Sequence, residues 1–222
     1  PDLIDLDWKE PDVCLEFLAI VLDAIVRGAR KIRLDAFAYT WKEPGTSCVG
    51  RPGTHELLRL FQDVLAAAGA GAVAILPSIT NVTQAENYAY FGAGEPSRRA
   101  DLIYHLPLSA LLLHTLYRGD TGVLARWLDA LPPAPPGRAY LNLSSTHDGI
   151  GLTWLAGLLP EASLRSLIDE ATSRGALVSS RRPTAKGDEL PWEINATWFS
   201  ACGGASPAEQ VARLLATQSV VL

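Results

Sequence analysis

The sequence predicts an α/β protein built on parallel β-strands. Five short, mostly apolar runs, at 31–36, 72–76, 101–106, 139–143 and 175–180, each have the length of a buried strand. The runs begin roughly 30 to 40 residues apart, with one or two helical patterns in each gap; that is the rhythm of βα units on a parallel sheet. A chain of 222 residues that is 48% hydrophobic can also bury a substantial core, which excludes a disordered chain.

The first helix is predicted at 12–27, where Val13, Phe17, Ile20, Val21, Ala24 and Ile25 recur at helical spacing between Pro11 and Gly28. The strand at 31–36 leads to a helix at 54–68, and the strand at 72–76 comes next. The strand at 101–106 is followed by helices at 108–117 and 121–131. The proline-rich stretch 132–137 joins the second of these to the strand at 139–143 rather than separating domains. A helix at 164–173, a strand at 175–180, a polar loop at 181–191 and a helix at 207–217 complete the chain.

Composition narrows the function. Lys+Arg 19 against Asp+Glu 24 gives a net charge of -5, and with no long basic block nucleic acid is not an expected partner. Cys14, Cys48 and Cys202 are odd in number and lack CxxC spacing, which fits a reducing compartment and offers no zinc site. No apolar run approaches the roughly 20 residues that cross a bilayer, and no signal-peptide pattern opens the chain, so a cytoplasmic protein without a membrane partner is expected. Methionine is absent, even at position 1, which keeps open the reading that this is a piece of a longer chain.

In parallel α/β folds, catalytic groups gather just past the C-terminal ends of strands. The first strand ends in Arg33-Leu34-Asp35, a charged pair two residues apart on one side of the strand. A buried structural ion pair is the plain alternative, since burying an Arg and an Asp is costly unless they pair. The fourth strand leads into Ser144-Ser145-Thr146-His147-Asp148-Gly149, where a turn or a helix cap is the plain alternative for His147 and Asp148. Two aspartates at strand ends suit chemistry on a sugar, where a retaining reaction needs one carboxylate as nucleophile and a second carboxyl group as acid/base, about 5 Å apart.

The segments RLDAFAY (33–39), KEPGTSC (42–48), THELL (54–58), TNVTQAENYAYFG (80–92), STHDGIG (145–151) and PWEIN (191–195) make the chain similar to glycoside hydrolase family 13, in its sucrose phosphorylase branch. PGTSC combined with THDGIG is more selective than the general amylase pattern. The AEN and YFG loop is similar to branch members acting on glucosylglycerate or glucosylglycerol. The resemblance implies that Asp35 is the nucleophile and Arg33 the arginine that favours its ionised form. It implies that Asp148 stabilises the oxocarbenium-like transition state, with His147 hydrogen-bonding the same sugar ring. A glucoside and inorganic phosphate are the implied partners, phosphate being a co-substrate and no cofactor being required.

Two departures follow. The family's acid/base glutamate closes the fifth barrel strand, and Ile79 stands at that position here, where it can neither donate nor accept a proton. The five runs also correspond to the fourth through eighth strands of the family's barrel. The expected fold is thus a partial TIM (β/α)8 barrel, approximately strands four to eight with their helices. On this reading residues 1–222 are the C-terminal portion of a single catalytic barrel, with the first three βα units and the C-terminal β-domain absent. Such a piece exposes sheet edges, through which it is expected to self-associate. The expected activity is that of an impaired or inactive retaining glycoside phosphorylase, and the alternatives are a non-catalytic carbohydrate-binding or interaction protein and a decayed gene piece.

Overall fold

A computed structural model describes residues 4–70, 73–77, 84–92, 100–181 and 189–222. In chain order the elements run α1 (Pro11–Val26), β1 (Lys31–Leu34), α2 (Pro52–Ala67), β2 (Ala74–Pro77), α3 (Gln84–Ala89) and β3 (Leu102–Tyr104). There follow α4 (Leu108–Arg118), α5 (Gly122–Asp129), β4 (Ala139–Leu141), β5 (Ile150–Gly151), α6 (Glu161–Ser173), β6 (Leu177–Arg181), β7 (Leu190–Asn195), α7 (Trp198–Cys202) and α8 (Pro207–Val221). The chain divides into two units, Pro1–Tyr104 with Ala134–Leu141, and His105–Pro133 with Asn142–Leu222.

The first unit carries the parallel strands that the βα spacing predicts. β1 pairs with β2, placing Arg33 opposite Leu76, and β3 pairs with β4, placing Leu102 opposite Ala139. Asp101 joins the two pairs. Its N–H donates to the Ile75 carbonyl at 3.0 Å, its Oδ2 accepts the Ile75 N–H at 2.8 Å, and its carbonyl accepts the Ala139 N–H at 3.1 Å. The four strands therefore lie side by side in sequence order. Only β2 is a mostly buried run; β1 alternates exposed and half-buried residues, because one of its edges has no ladder partner among the described residues.

Helices α1 and α2 cover this unit's core, where Leu18, Val21, Leu58, Phe61 and Leu65 pack with Ile75 and Ile103. On α1 the inward stripe runs through Cys14, Phe17, Leu18, Val21 and Ile25, and Ile20 is 54% exposed rather than core as its spacing predicts. Trp8 decides that orientation. Its ring lies 4.7 Å from Phe17 and 6.4 Å from Phe61, so the helix turns its Phe17 side toward α2.

The second unit departs from the parallel plan. Its sheet has the order β5-β7-β6 and both pairings are antiparallel, so the run at 175–180 does not join a parallel sheet. The cause is connection length. Eight residues separate Arg181 from Leu190, whereas a parallel crossover needs about a dozen or more. The loop expected at 181–191 thus gives Arg181 to β6 and its last two residues to β7, and 182–188 lie outside the described residues. The core of this unit packs Leu111 and Leu113 of α4 with Ile150, Leu155, Leu167, Ile194 and Trp198.

Helix ends follow local chemistry. Ser206 caps α8 by accepting the Glu209 N–H at 3.2 Å, and Glu209 reaches back to accept the Ala205 N–H at 2.8 Å. Inside that helix, Thr217 accepts the Trp198 indole N–H at 2.9 Å. The proline-rich stretch joins α5 to β4 as expected, but it also carries the chain from one unit to the other, at Pro133 and Ala134, where the sequence predicts no boundary. Among the described residues the strands do not close into a barrel, and no helix is long and apolar enough to cross a membrane.

Candidate active site

Asp35 lies immediately past the end of β1. Ala36 follows in a left-handed conformation (φ 48°) and turns the chain into a short 3-10 turn, Phe37–Tyr39. Phe37 and Ala38 are fully packed, and Phe37 meets Phe61 of α2 edge-on at 6.3 Å, so Asp35 is followed at once by a buried anchor. Arg33 Nη2 contacts Asp35 Oδ1 at 2.7 Å, with the two side chains 40% and 69% exposed. This exposure overturns the alternative of a buried structural pair. An exposed ion pair of this kind adds only about 0–1 kcal/mol to stability.

The 42–48 segment folds beside its own partners in the same unit. Glu43 accepts from Arg51 Nε at 2.7 Å, its carbonyl accepts the Thr46 hydroxyl at 2.8 Å, and Lys42 contacts Asp5 at 2.9 Å.

In the second unit, Thr146 and Gly149 close a tight turn by exchanging two backbone hydrogen bonds, 2.9 and 3.2 Å, with His147 and Asp148 at its tip. His147 Nε2 lies 3.4 Å from Asp148 Oδ2, and the side chains are 73% and 59% exposed. The turn is tied to the sheet. Asn195 Nδ2 donates to the Asp148 carbonyl at 2.8 Å, and the Ser179 hydroxyl donates to Asn195 Oδ1 at 2.8 Å. Gly149 has φ 124°, and a Cβ there would meet the Ile194 carbonyl, so this position accepts glycine alone. The turn expected for His147 and Asp148 is therefore present, and it leaves both side chains open to solvent.

The structure adds Glu193, which sequence reasoning did not single out. Burial pushes its carboxyl above the ordinary range, and the charge of Asp148 pushes the same way; a Trp192 hydrogen bond, Arg181 and His147 oppose. Arg181 lies over the Trp192 ring at 4.3 Å. Treating 190–195 as a strand instead of a loop end was the signal available, since it puts the Glu193 carboxylate between Trp192 and Ile194 in a sheet.

Arg33 and Asp35 are thus brought together in one unit, and His147, Asp148 and Glu193 in the other, while Ile79 lies outside the described residues. Among the described residues no cluster of three or more His, Cys, Asp or Glu could hold a metal ion. The chemistry available is that of exposed carboxylates: one beside a guanidinium and able to attack an electrophilic carbon, one beside an imidazole and able to hold hydroxyl groups.

Parallel strands with helices between them, and acids presented past a strand end, define an α/β fold of the kind used by carbohydrate-active enzymes. No protein-family model matches the chain. It is 34% identical over 223 residues to the glucosylglycerate phosphorylase of Escherichia coli (strain K12), an alignment covering 100% of this chain and 39% of that protein. The sucrose phosphorylase of Bifidobacterium adolescentis is 27% identical over 91% of this chain and 39% of its own. The crystal structure of sucrose 6F-phosphate phosphorylase from Thermoanaerobacter thermosaccharolyticum superposes with a TM-score of 0.79 at 25% identity, covering 97% of this chain and 40% of that one. The chain is related throughout to glycoside phosphorylases of the sucrose phosphorylase branch of glycoside hydrolase family 13, and it spans about 40% of the length of the curated relatives it matches.

Proposed function

We propose that the parallel strands β1 to β4 are strands four to seven of a family 13 barrel, the antiparallel run at 175–180 not being the eighth, and that Asp35 and Asp148 are its two reaction carboxylates. On this reading residues 1–222 are the C-terminal portion of one catalytic barrel, working in the cytoplasm on a glucoside and inorganic phosphate. The Asp35 carboxylate bonds to the anomeric carbon as the glucosidic C–O bond breaks, and the departing oxygen leaves with the electron pair and must take up a proton. A phosphate oxygen then displaces Asp35, which releases glucose 1-phosphate and restores the carboxylate. His147 and Asp148, open at the tip of their turn, hold the sugar hydroxyls and meet the positive charge that develops at the anomeric carbon.

The observation that carries this reading is the Arg33–Asp35 contact of 2.7 Å, held open to solvent at a strand end. Ile79 withholds the proton that the leaving oxygen needs, and general acid catalysis contributes about 10²–10⁴-fold, so low or no turnover is expected. Ile79 also favours a second reading, a non-catalytic sugar-binding protein, because both aspartates can still grip hydroxyls. Sheet edges and apolar faces left open make a second copy of the chain a further partner.

The test measures glucose 1-phosphate formed from sucrose or glucosylglycerate with phosphate. The chain should form none, and robust turnover would sink the assigned role of Ile79. With the rest of a family 13 barrel supplied, Ile79→Glu should raise the rate at least roughly 100-fold on these substrates and far less on glucosyl fluoride, whose leaving group needs no proton; equal gains on both would refute the acid/base assignment. Calorimetric binding of glucose by the unaltered chain and by Ile79→Glu, with no turnover by either, would favour the second reading.

A further inference from the structure

A groove in the second unit, apart from the Thr146–Gly149 turn, is lined by side chains that the proposed chemistry leaves unused. Its volume is about 570 Å³, and α4, α5 and the N-terminal end of α6 form its walls. That volume falls within the range of about 300–1,000 Å³ usual for small-molecule sites.

His114 lines this groove, is only 6% exposed, and has an Nδ1 without a hydrogen-bond partner. An orphaned buried ring nitrogen is unfavourable unless something arrives to satisfy it or its neighbours hold it for another purpose. One helical turn along α4, Arg118 lines the same groove, and Arg126 faces it from α5. Neither guanidinium has an ion-pair partner among the described residues. The contrast within this unit is sharp, because Arg165, Arg174 and Arg213 each pair with a glutamate four residues earlier.

The remaining wall supplies donors. Pro160 precedes the first turn of α6 and offers no capping side chain; the Ser163 and Leu164 N–H groups donate to its carbonyl, which leaves those of Glu161 and Ala162 at the helix end, and Ser163 adds a hydroxyl beside them. Asp120 is the single carboxylate among the lining residues, and its Oδ1 already accepts the Gly122 N–H at 2.8 Å. Two cations against one anion, with a helix N-terminus and a hydroxyl, give a site matched to a tetrahedral oxyanion with several oxygens.

We propose that this groove binds the phosphate group of a small molecule, with Arg118 and Arg126 on its oxygens and the open end of α6 and Ser163 donating to it. The groove has room beyond the phosphate for a sugar-sized remainder. This inference does not depend on the reaction assigned to Asp35 and Asp148.

The experiment titrates the isotope-labelled chain with inorganic phosphate and, separately, with glucose 6-phosphate, at an ionic strength held constant with sodium chloride. Saturable shifts of the Glu161, Ala162 and Ser163 amides and of the His114 ring are expected. Equal affinities would assign the site to free phosphate, and tighter glucose 6-phosphate to a phosphorylated sugar. Arg118→Gln with Arg126→Gln should weaken binding at least about tenfold, each single variant should weaken it less, and Arg27→Gln, in α1 of the other unit, should leave it unchanged. Both groove arginines are exposed, and circular dichroism verifies that the variants fold. An absence of saturable shifts with either probe, or equal weakening by Arg27→Gln, would overturn the proposal.

Discussion

Glu193 shows how one carboxyl group links stability to the site. Burial and Asp148 hold its pKa above the ordinary range, so the folded chain binds a proton there more tightly than the unfolded chain does. The resulting stabilisation is fully present below the unfolded pKa, about 4.3, and is lost as pH rises through the raised folded value. Glu193→Gln removes that dependence. The unfolding free energy of the variant minus that of the parent, from urea melts, should therefore increase between pH 4 and neutrality, and a difference that stays flat would show that the surroundings do not raise the proton affinity of Glu193.

At the scale of elements, Asp101 makes the parallel strands one assembly. It satisfies the N–H of Ile75, a residue with no exposed surface, and continues the ladder toward β4. Asp101→Ala should cost about 1–3 kcal/mol, since it leaves a buried N–H unpaired, while Asp101→Asn keeps an acceptor oxygen and should cost less than about 1 kcal/mol. Urea denaturation of both variants checks the order, and equal costs would mean that the charge rather than the acceptor matters. The strands β1 to β4 were legible because each is an apolar run bounded by helical patterns. The helices α3 and α7, six and five residues long, were not, because fewer than two turns carry no readable period. β7 was hidden for another reason. Its identity as a strand comes from pairing with β5 and β6, and nothing in Leu190–Asn195 alone announces a partner. The candidate site divides in the same way: Arg33 and Asp35 were singled out as a charged pair at the end of the first strand, and His147 and Asp148 as polar residues past the fourth, whereas Glu193 approaches Asp148 only through the β5–β7 pairing of residues more than 40 apart in sequence.

For the molecule as a whole, the apolar surface left open decides behaviour in solution. On α1, Leu15 and Ile20 are exposed but lie about 140° apart around the helix, on either flank of the packed stripe, and form no common patch. On α8, Val211 and Leu215 are exposed one turn apart, with Val220 further along, while Leu214, Thr217 and Val221 face inward. Single exposed apolar residues are ordinary on soluble proteins, but neighbouring ones on the outer face of a helix form a patch that water does not favour. A second copy of the chain offers the same patch in the same geometry, and an isologous contact between two α8 faces needs no new sequence. The chain alone should therefore sediment as a mixture whose average mass rises with concentration. Val211→Gln with Leu215→Gln should shift it toward the monomer without lowering the thermal midpoint, because these exposed side chains leave the core untouched. A parent chain that remains monomeric at every concentration would refute the role of this face, and so would association that the two substitutions do not reduce.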